Sequence, residues 1–162
     1  MRRFLLTLRQ ALAAVLLLAL SASVACSQPE ANDKLSLWFE TPDGKPSERF
    51  SMEIADTDPE RHRGLMYRHS IGAREGMIFI FPNETEHSFW MKNTYIPLDM
   101  VFVGSDWRVA GVLENVPPLT EEGRSVGKPS KYVLEFAAGT MRSLGVTAGT
   151  IVKTESTVPS GQ

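Results

Sequence analysis

The amino-acid sequence predicts a β-dominated α+β fold, a small closed barrel or sandwich of about eight short strands with one or two short helices. Some short stretches alternate between apolar and polar residues, which is typical of strands with one buried face. Others are continuously apolar and bounded by glycine or proline, which is typical of strands buried on both faces. Turn-forming residues separate these stretches at short intervals, so few segments are long enough for a helix.

The predicted strands follow one another along the chain. Residues 35–40 and 50–54 alternate apolar and polar side chains and are joined through a turn at Pro42-Asp43-Gly44. "GMIFIFP" (residues 76–82) is a continuously apolar strand. "HSFWMKNTYIPLDMVFV" (residues 87–103) is predicted to contain two strands separated by Pro97. Further strands are predicted in residues 107–114, 131–137 and 149–154, and a long loop is predicted in residues 115–130.

Helix signals occur at two places. Asp58, Pro59 and Glu60 are typical of an N-cap and a first helical turn, and they predict a helix that extends to residue 68. Gly64 inside this segment predicts close packing against another element. Residues 140–145 predict a single helical turn that ends at a glycine.

The first 25 residues are predicted to be a secretory signal peptide. Three arginines precede an apolar run, "ALAAVLLLAL" (residues 11–20), that is too short to span a bilayer. Ser23 and Ala25 then supply the small residues of a signal cleavage site. The arrangement around Cys26 resembles a bacterial lipobox, except that Ser23 stands where that pattern has a branched apolar residue.

Cys26 is the only cysteine, so it cannot form an internal disulfide. We expect it to be lipidated, which favours a lipoprotein over a soluble periplasmic protein. In either case the protein is expected in the periplasm or cell envelope. A tether at residues 26–34 would precede a single β-rich domain at residues 35–154, and residues 155–162 are expected to be disordered.

The charge of the mature chain limits its partners. Removal of the signal peptide takes away three arginines and changes the formal net charge from −2 to −5. An acidic domain without basic clusters argues against nucleic acid and against electrostatic attachment to anionic lipid. The expected membrane contact is therefore the lipid on Cys26 alone, and the expected state is a monomer.

Four segments occur in an order and at a spacing that resemble a known family. They are "RGLMYR" (residues 63–68), "GMIFIFP" (76–82), "FWMKNTYIPLDMVFV" (89–103) and "YVLEFAAG" (132–139). Over residues 51–152 the chain resembles the bacterial and archaeal family called domain of unknown function 192. The family's Gly-Asp before the last strand is Gly149-Thr150 here. The resemblance implies a compact β-rich domain that is often exported, and it implies no activity.

The polar residues within the longest apolar segment are candidates for a site. On a strand, Trp90 and Lys92 would share one face. Such a pair suits a sugar, an aromatic ring or a carboxylate. The alternative is that Trp90 belongs to the core and the Lys92 side chain extends past it into water.

Two carboxylates lie among apolar neighbours. Asp99 precedes "MVFV", and Glu135 stands between a leucine and a phenylalanine. Each needs a cation or backbone N–H groups; otherwise its pKa rises and the group becomes neutral. Arg63, Arg68 and Lys92 are the candidate cations, and Pro97 is expected to free N–H groups that Asp99 could accept.

Three functions are compatible with these residues. The favoured one is an envelope module that binds a small polar ligand or a peptide through Arg63, Arg68, Trp90, Lys92, Asn93, Asp99 and Glu135. The second is a carbohydrate- or cell-wall-directed hydrolase or lyase in which Asp99 and Glu135 act as acid and base. The third is a structural or interaction protein in which these charges form internal ion pairs only.

No cofactor or metal site is predicted. The three histidines lack a metal-ligand spacing, and the methionines fall in apolar runs, where methionine usually fills the core. The chain also has neither a Gly-x-Ser-x-Gly nucleophile motif nor a glycine-rich phosphate loop.

Overall fold

A computed structural model describes residues 34–41 and 43–162, which form one compact unit. The predicted signal peptide, Cys26 and nearly all of the predicted tether lie outside the described residues. These described residues contain seven strands and two short helices, in the order β1 (Lys34–Glu40), β2 (Phe50–Ala55), α1 (Asp58–Arg63), β3 (Glu75–Glu86), β4 (Leu98–Val103), β5 (Val109–Val116), β6 (Pro129–Ala137), α2 (Thr140–Leu144) and β7 (Ile151–Thr154). The described residues contain no helix long and apolar enough to cross a membrane.

The strands form one mixed sheet in the order β5-β4-β6-β3-β2-β1-β7. Only β2 and β3 pair in parallel, and the helix α1 lies on the connection between them. The two edge strands share no ladder, although a single bridge joins Arg108 to Ile151 beside them. The β-dominated class is confirmed, but the closed barrel or sandwich of about eight strands is wrong. The sheet is an open, curled half-barrel of seven strands.

The missing strand is the first half of the segment 87–103. Residues 87–97 run as a loop with a single β-bridge, between Phe89 and Arg124, and both of these residues lie outside the strands of the sheet. Asn93 has a positive φ of 53°, which is incompatible with an extended strand. The apolar residues of this loop are buried by packing over the sheet rather than by pairing within it, and Met91 is fully buried.

Each face of the sheet carries its own apolar core. The first core includes residues from all seven strands, among them Leu37, Phe50, Ile78, Leu134 and Phe136. The second core lies on the opposite face, beneath the segments that follow α1 and β3. Its buried members are Ala55, Leu65, Met77, Phe79, Met91, Leu98, Met100, Phe102, Val116 and Val133.

Helix α1 begins and ends differently from its prediction. Thr57, rather than Asp58, is the N-cap, and its backbone N–H donates to Glu60 Oε2 at 3.0 Å, as in a capping box. The helix ends at Gly64, whose φ is +44°, instead of continuing to residue 68. The close packing predicted at Gly64 is confirmed, because a Cβ there would lie 3.0 Å from the ring of Phe79.

The last residues contact the domain, whereas disorder was expected from their composition. The backbone N–H of Gln162 donates to the Asp56 carbonyl at 2.9 Å, and that of Glu155 donates to the Ser36 carbonyl at 3.0 Å. Val158 packs against the first core. These contacts are long-range in sequence, so the local composition carried no signal of them.

Candidate functional site

A cavity of about 480 Å³ lies against the second face of the sheet. Its lining comes from α1 and the turn after it, from β3 and β6, and from the loop of residues 88–94. We call it the Glu135 cavity, because that carboxyl group is its one acidic group from the sheet. Cavities of this volume are typical of small-molecule sites.

Glu135 reaches the cavity because of strand alternation. On β6, Leu134 and Phe136 belong to the first core, so Glu135 and Val133 face the second. Its direct neighbours across the ladders are Met77 on β3 and Met100 on β4, which are both buried and apolar. The sheet therefore holds this carboxyl group in an apolar layer.

The Glu135 side chain has no partner among the described residues. It is 4 % exposed, and no hydrogen bond or ion pair joins it to residues 34–41 or 43–162. Burial alone raises the pKa of this carboxyl to about 8. At neutral pH the group is mainly protonated, so it offers one O–H donor and one carbonyl acceptor to the cavity.

Aromatic rings form the wall of the Glu135 cavity. Phe79 and Phe81 come from β3, and Phe89 and Trp90 come from the loop after it. Phe79 and Phe89 meet edge to face with ring centroids 5.0 Å apart. Trp90 is 39 % exposed, so part of its ring is open to solvent.

Basic side chains accompany the aromatic wall. Arg61 is held in place, since its Nη2 lies 2.6 Å from Asp58 Oδ1 and its Nη1 donates to the Ile80 carbonyl at 2.7 Å. Lys92 Nζ lies 5.2 Å from the Trp90 ring centroid and 3.5 Å from a carboxylate oxygen of Glu121. His62 and Arg63 complete the group, and the His62 ring lies edge to face against Trp90 at 5.9 Å.

Arg63 differs from Arg61 and Lys92 because no described carboxylate is paired with it. Its side chain is exposed and forms no ion pair with the part of the chain that the structure describes. Arg61 is neutralised by Asp58, and Lys92 lies within reach of an exposed glutamate. An incoming anion would therefore find Arg63 free and Lys92 weakly paired.

A second cavity of about 380 Å³ lies beside the first and shares Arg63, Gly64 and Met66 with it. Here Arg68 forms a bidentate ion pair with Glu53, in which Nη1 lies 2.7 Å from Oε1. This pair raises the pKa of the Arg68 guanidinium. Arg68 thus lines the second cavity, and its charge is already matched by Glu53.

Asp99 belongs to the opposite face of the sheet and is fully buried. Its Oδ1 accepts the N–H of Asn115, and its Oδ2 accepts the N–H of Met141, both at 2.9 Å. The first donor lies at an irregularity of β5 where the φ of Asn115 is positive, and the second lies in the first turn of α2. The carboxylate therefore joins β4 to both elements.

The predicted cationic partners of Asp99 are wrong. Arg63, Arg68 and Lys92 are all on the other face or at the surface, so none reaches it. The alternative of backbone N–H donors is the one the structure shows, although they do not come from the neighbourhood of Pro97. The donors lie 16 and 42 positions away along the chain.

Asn93 ties two loops together. Its Nδ2 donates to the Tyr67 hydroxyl at 3.0 Å, and its carbonyl accepts the Tyr67 N–H at 2.7 Å. Both residues have positive φ. Asn93 therefore holds the loop that carries Trp90 and Lys92, without lining the Glu135 cavity itself.

Four of the seven predicted ligand-binding residues meet in one place. Arg63, Trp90, Lys92 and Glu135 all line the Glu135 cavity. Trp90 and Lys92 do lie side by side, but in a loop instead of on the face of a strand. Among the residues that the structure describes, no three His, Cys, Asp or Glu side chains are grouped closely enough to hold a metal ion.

The three phenylalanines of the aromatic wall and His62 were not predicted as site residues. Phe79 and Phe81 occupy alternate positions in "GMIFIFP", so strand alternation could have placed both on one face. Nothing in the sequence places Phe89 or His62 beside them, because these contacts depend on how the loop and α1 fold over the sheet.

The fold and the cavity together define a small half-barrel domain with a cavity of ligand size on the face of the sheet that carries the second core. The chain belongs to the DUF192 family, whose model, described as uncharacterized ACR, matches residues 39–154. No protein of curated function matches the chain.

Two solved structures are similar to this chain. One is a candidate transcription regulator from Sinorhizobium meliloti 1021, at 35% identity and a TM-score of 0.74, covering 78% of this chain and 98% of that chain. The other is a protein of unknown function from Novosphingobium aromaticivorans DSM 12444, at 35% identity and a TM-score of 0.70, covering 78% of this chain and 89% of that chain.

Proposed function

We propose that this protein is an exported envelope module that binds a small polar ligand in the Glu135 cavity. The observation that carries the proposal is the Glu135 carboxyl, which is almost fully buried and has no partner among the described residues. Burying an unpaired polar group costs about 1–3 kcal/mol, so a purely structural role would be better served by an apolar side chain. A ligand that hydrogen-bonds to the carboxyl removes that cost.

Asp99 illustrates the structural alternative within the same sheet. Both of its oxygens accept backbone N–H groups, and no cavity residue contacts it through a hydrogen bond. A buried carboxylate that serves only the fold is satisfied in this way. The contrast with Glu135 favours a binding role for the latter.

The size of the cavity favours a small molecule or one or two side chains of a peptide. A volume of about 480 Å³ lies in the lower part of the range known for small-molecule sites. The aromatic wall supplies apolar contact, while Arg63, Lys92 and Glu135 supply polar groups.

Hydrolysis by Asp99 and Glu135 is not part of the proposal. A two-carboxylate mechanism needs both groups on the same substrate, about 5–10 Å apart. The two side chains here lie on opposite faces of one sheet, so a substrate in the Glu135 cavity cannot reach Asp99.

The place of action is inferred from the first 26 residues. A signal peptide ending at residue 25 and lipidation of Cys26 would tether the domain to a membrane from outside the cytoplasm. The name of the Sinorhizobium relative raises a role with nucleic acid, but the mature chain would carry a net charge of −5, which argues against it. We therefore place the function in the envelope.

The test is native mass spectrometry of the full chain, followed by thermal shift with a panel of sugars, organic acids and dipeptides. We expect a co-purified small molecule, or a compound that raises the melting temperature. Glu135→Leu should reduce that shift, and Asp99→Asn, which changes the opposite face, should retain it. An undiminished shift in Glu135→Leu, or the absence of any bound or stabilising compound, would contradict a binding role for this cavity.

A further inference from the structure

The polar groups of the Glu135 cavity are divided between its floor and its rim. The floor is Glu135, whose ladder neighbours Met77 and Met100 carry no charge. Glu135 is 4 % exposed, whereas Arg63 is exposed and Lys92 is half-buried, and all three line the same cavity. The carboxyl therefore lies deeper in the cavity than these two cations.

The rim is cationic. Arg61 and Asp58 neutralise each other at 2.6 Å, which leaves Arg63 and Lys92 as the available positive charges. His62 also lines the rim, and its imidazole lies against Trp90. Guanidinium and ammonium groups of this kind bind carboxylate or phosphate.

The Glu135 carboxyl at the floor of the cavity requires a different ligand group from the anion that the rim binds. A protonated carboxyl group donates one hydrogen bond and accepts another, which suits an alcohol or a neutral carbonyl oxygen. A ligand ammonium at the same position would need an ionised Glu135 in an apolar layer. It would also approach a rim that already carries two positive charges.

Between the floor and the rim lies the aromatic wall. Phe79, Phe89 and Trp90 offer flat apolar surface on which a ring can pack. Such surface discriminates poorly between an aromatic ring and the apolar face of a sugar ring. The polar groups at the two ends therefore set the specificity.

We infer that the ligand is an organic anion of about one ring, with its acidic group at Arg63 and Lys92 and a hydroxyl or neutral carbonyl oxygen at Glu135. This inference rests on the proposed binding function and adds the chemical class of the ligand. Hydroxylated aromatic acids and sugar acids share this chemistry.

The test is isothermal titration of the full chain with a matched set of benzoates. 4-(Hydroxymethyl)benzoate carries both groups, 4-methylbenzoate lacks the hydroxyl, 1,4-benzenedimethanol lacks the acid, and 4-(aminomethyl)benzoate carries an ammonium instead of the hydroxyl. We expect 4-(hydroxymethyl)benzoate to bind about tenfold more tightly than each of the others. A second titration compares glucuronate with glucose. If the acid group raises affinity more in this pair than in the benzoates, the ring of the ligand is a sugar ring.

Variants separate the two ends of the site. Arg63→Gln and Lys92→Gln should each weaken 4-(hydroxymethyl)benzoate or glucuronate several-fold, whereas Lys45→Gln, which removes a charge at an exposed site outside the cavity, should have no effect. Glu135→Gln retains a donor and an acceptor, so it should bind within a few-fold of the wild type. Glu135→Leu should lose about tenfold.

The pH dependence tests the floor independently. For a ligand with a neutral carbonyl oxygen in place of the hydroxyl, such as 4-acetylbenzoate, the carboxyl must be protonated to donate. The affinity for that ligand should therefore fall as pH rises through about 8, and this dependence should vanish in Glu135→Gln. Tighter binding of 4-(aminomethyl)benzoate, an affinity that rises with pH, or loss of binding in Glu135→Gln would overturn the inference. If the thermal-shift panel finds a ligand of another chemical class and no hydroxy acid binds, the inferred ligand class is overturned. The proposed binding function would still stand.

Discussion

Asp99 and Glu135 lie one register position apart on the adjacent strands β4 and β6, yet their side chains occupy opposite faces of the sheet. Asp99 pairs with Phe136, and Glu135 pairs with Met100. Asp99 is satisfied by two backbone N–H groups, whereas Glu135 faces a cavity without a partner among the described residues. Two carboxylates with similar sequence surroundings therefore differ in their partners, since Asp99 is satisfied by other described residues and Glu135 is not.

Removal of the Asp99 carboxylate should destabilise the fold. Asp99→Ala leaves the buried N–H groups of Asn115 and Met141 unpaired, and we expect a loss of about 2–5 kcal/mol in the free energy of unfolding. Asp99→Asn retains one acceptor and should lose less. Urea unfolding measures both, with the exposed Asp43→Asn as the control. An Asp99→Ala variant as stable as that control would contradict the role of Asp99 in joining β4 to α2 and β5.

Glu135→Gln should change how stability depends on pH. The unfolded carboxyl ionises near 4.5, whereas burial raises the folded pKa to about 8. Between these values the unfolded state releases a proton that the folded state keeps, so wild-type stability falls as pH rises. In this window the free energy of unfolding of the variant, relative to the wild type, should rise by about 1.4 kcal/mol per pH unit. Below pH 4.5 the difference between the two proteins should not change with pH.

Chemical denaturation at pH 4, 6 and 8 measures that difference. The matched control is Glu86→Gln, because Glu86 is an exposed glutamate on β3 away from the Glu135 cavity. A difference between wild type and Glu135→Gln that stays constant across the three pH values would show that Glu135 ionises normally in the folded protein.

Gly76 is required by the contact between β3 and β6. A Cβ at this position would lie 2.6 Å from the carbonyl oxygen of Glu135, which is backbone and cannot move aside alone. We expect Gly76→Ala to cost about 2–4 kcal/mol. In Gly72→Ala the nearest atoms belong to the flexible Glu75 side chain, so that variant should lose less than about 1 kcal/mol. Equal thermal stability of the two variants would contradict the register between β3 and β6.

The lipid tether can be tested on the protein itself. We expect intact-mass analysis of membrane-extracted protein to show a chain that begins at Cys26 and carries a diacylglyceryl group. Cys26→Ser should move the protein from the membrane fraction to the soluble fraction. A chain with unmodified Cys26 in the wild type would favour the soluble periplasmic alternative.

The strands and the tight glycine were predictable from the sequence because their signals are local. Alternation defines β1 and β2, and an apolar run bounded by glycine defines the buried part of β3. The position of Gly64 indicated close packing against another element, which the structure shows to be Phe79. Each signal lies within a few residues of the feature it predicts.

The loop of residues 87–97 shows where local signals fail. Its apolar residues have the composition of a strand, but their burial comes from packing over the sheet, and Asn93 turns the chain out of the extended region. The partners of Asp99 are equally hidden, since both donors are backbone groups distant along the chain. Residue type alone carries no information about such contacts.

The most direct test of the binding site is carboxyl-carbon NMR of the protein labelled at glutamate. The Glu135 resonance, assigned with Glu135→Gln, is followed while 4-(hydroxymethyl)benzoate or the best compound of the thermal-shift panel is added. The account predicts that this resonance titrates near pH 8 in the free protein and shifts on ligand addition, while the other glutamates change little. A Glu135 resonance that titrates near 4.5, or that stays unchanged at saturating ligand, would contradict it.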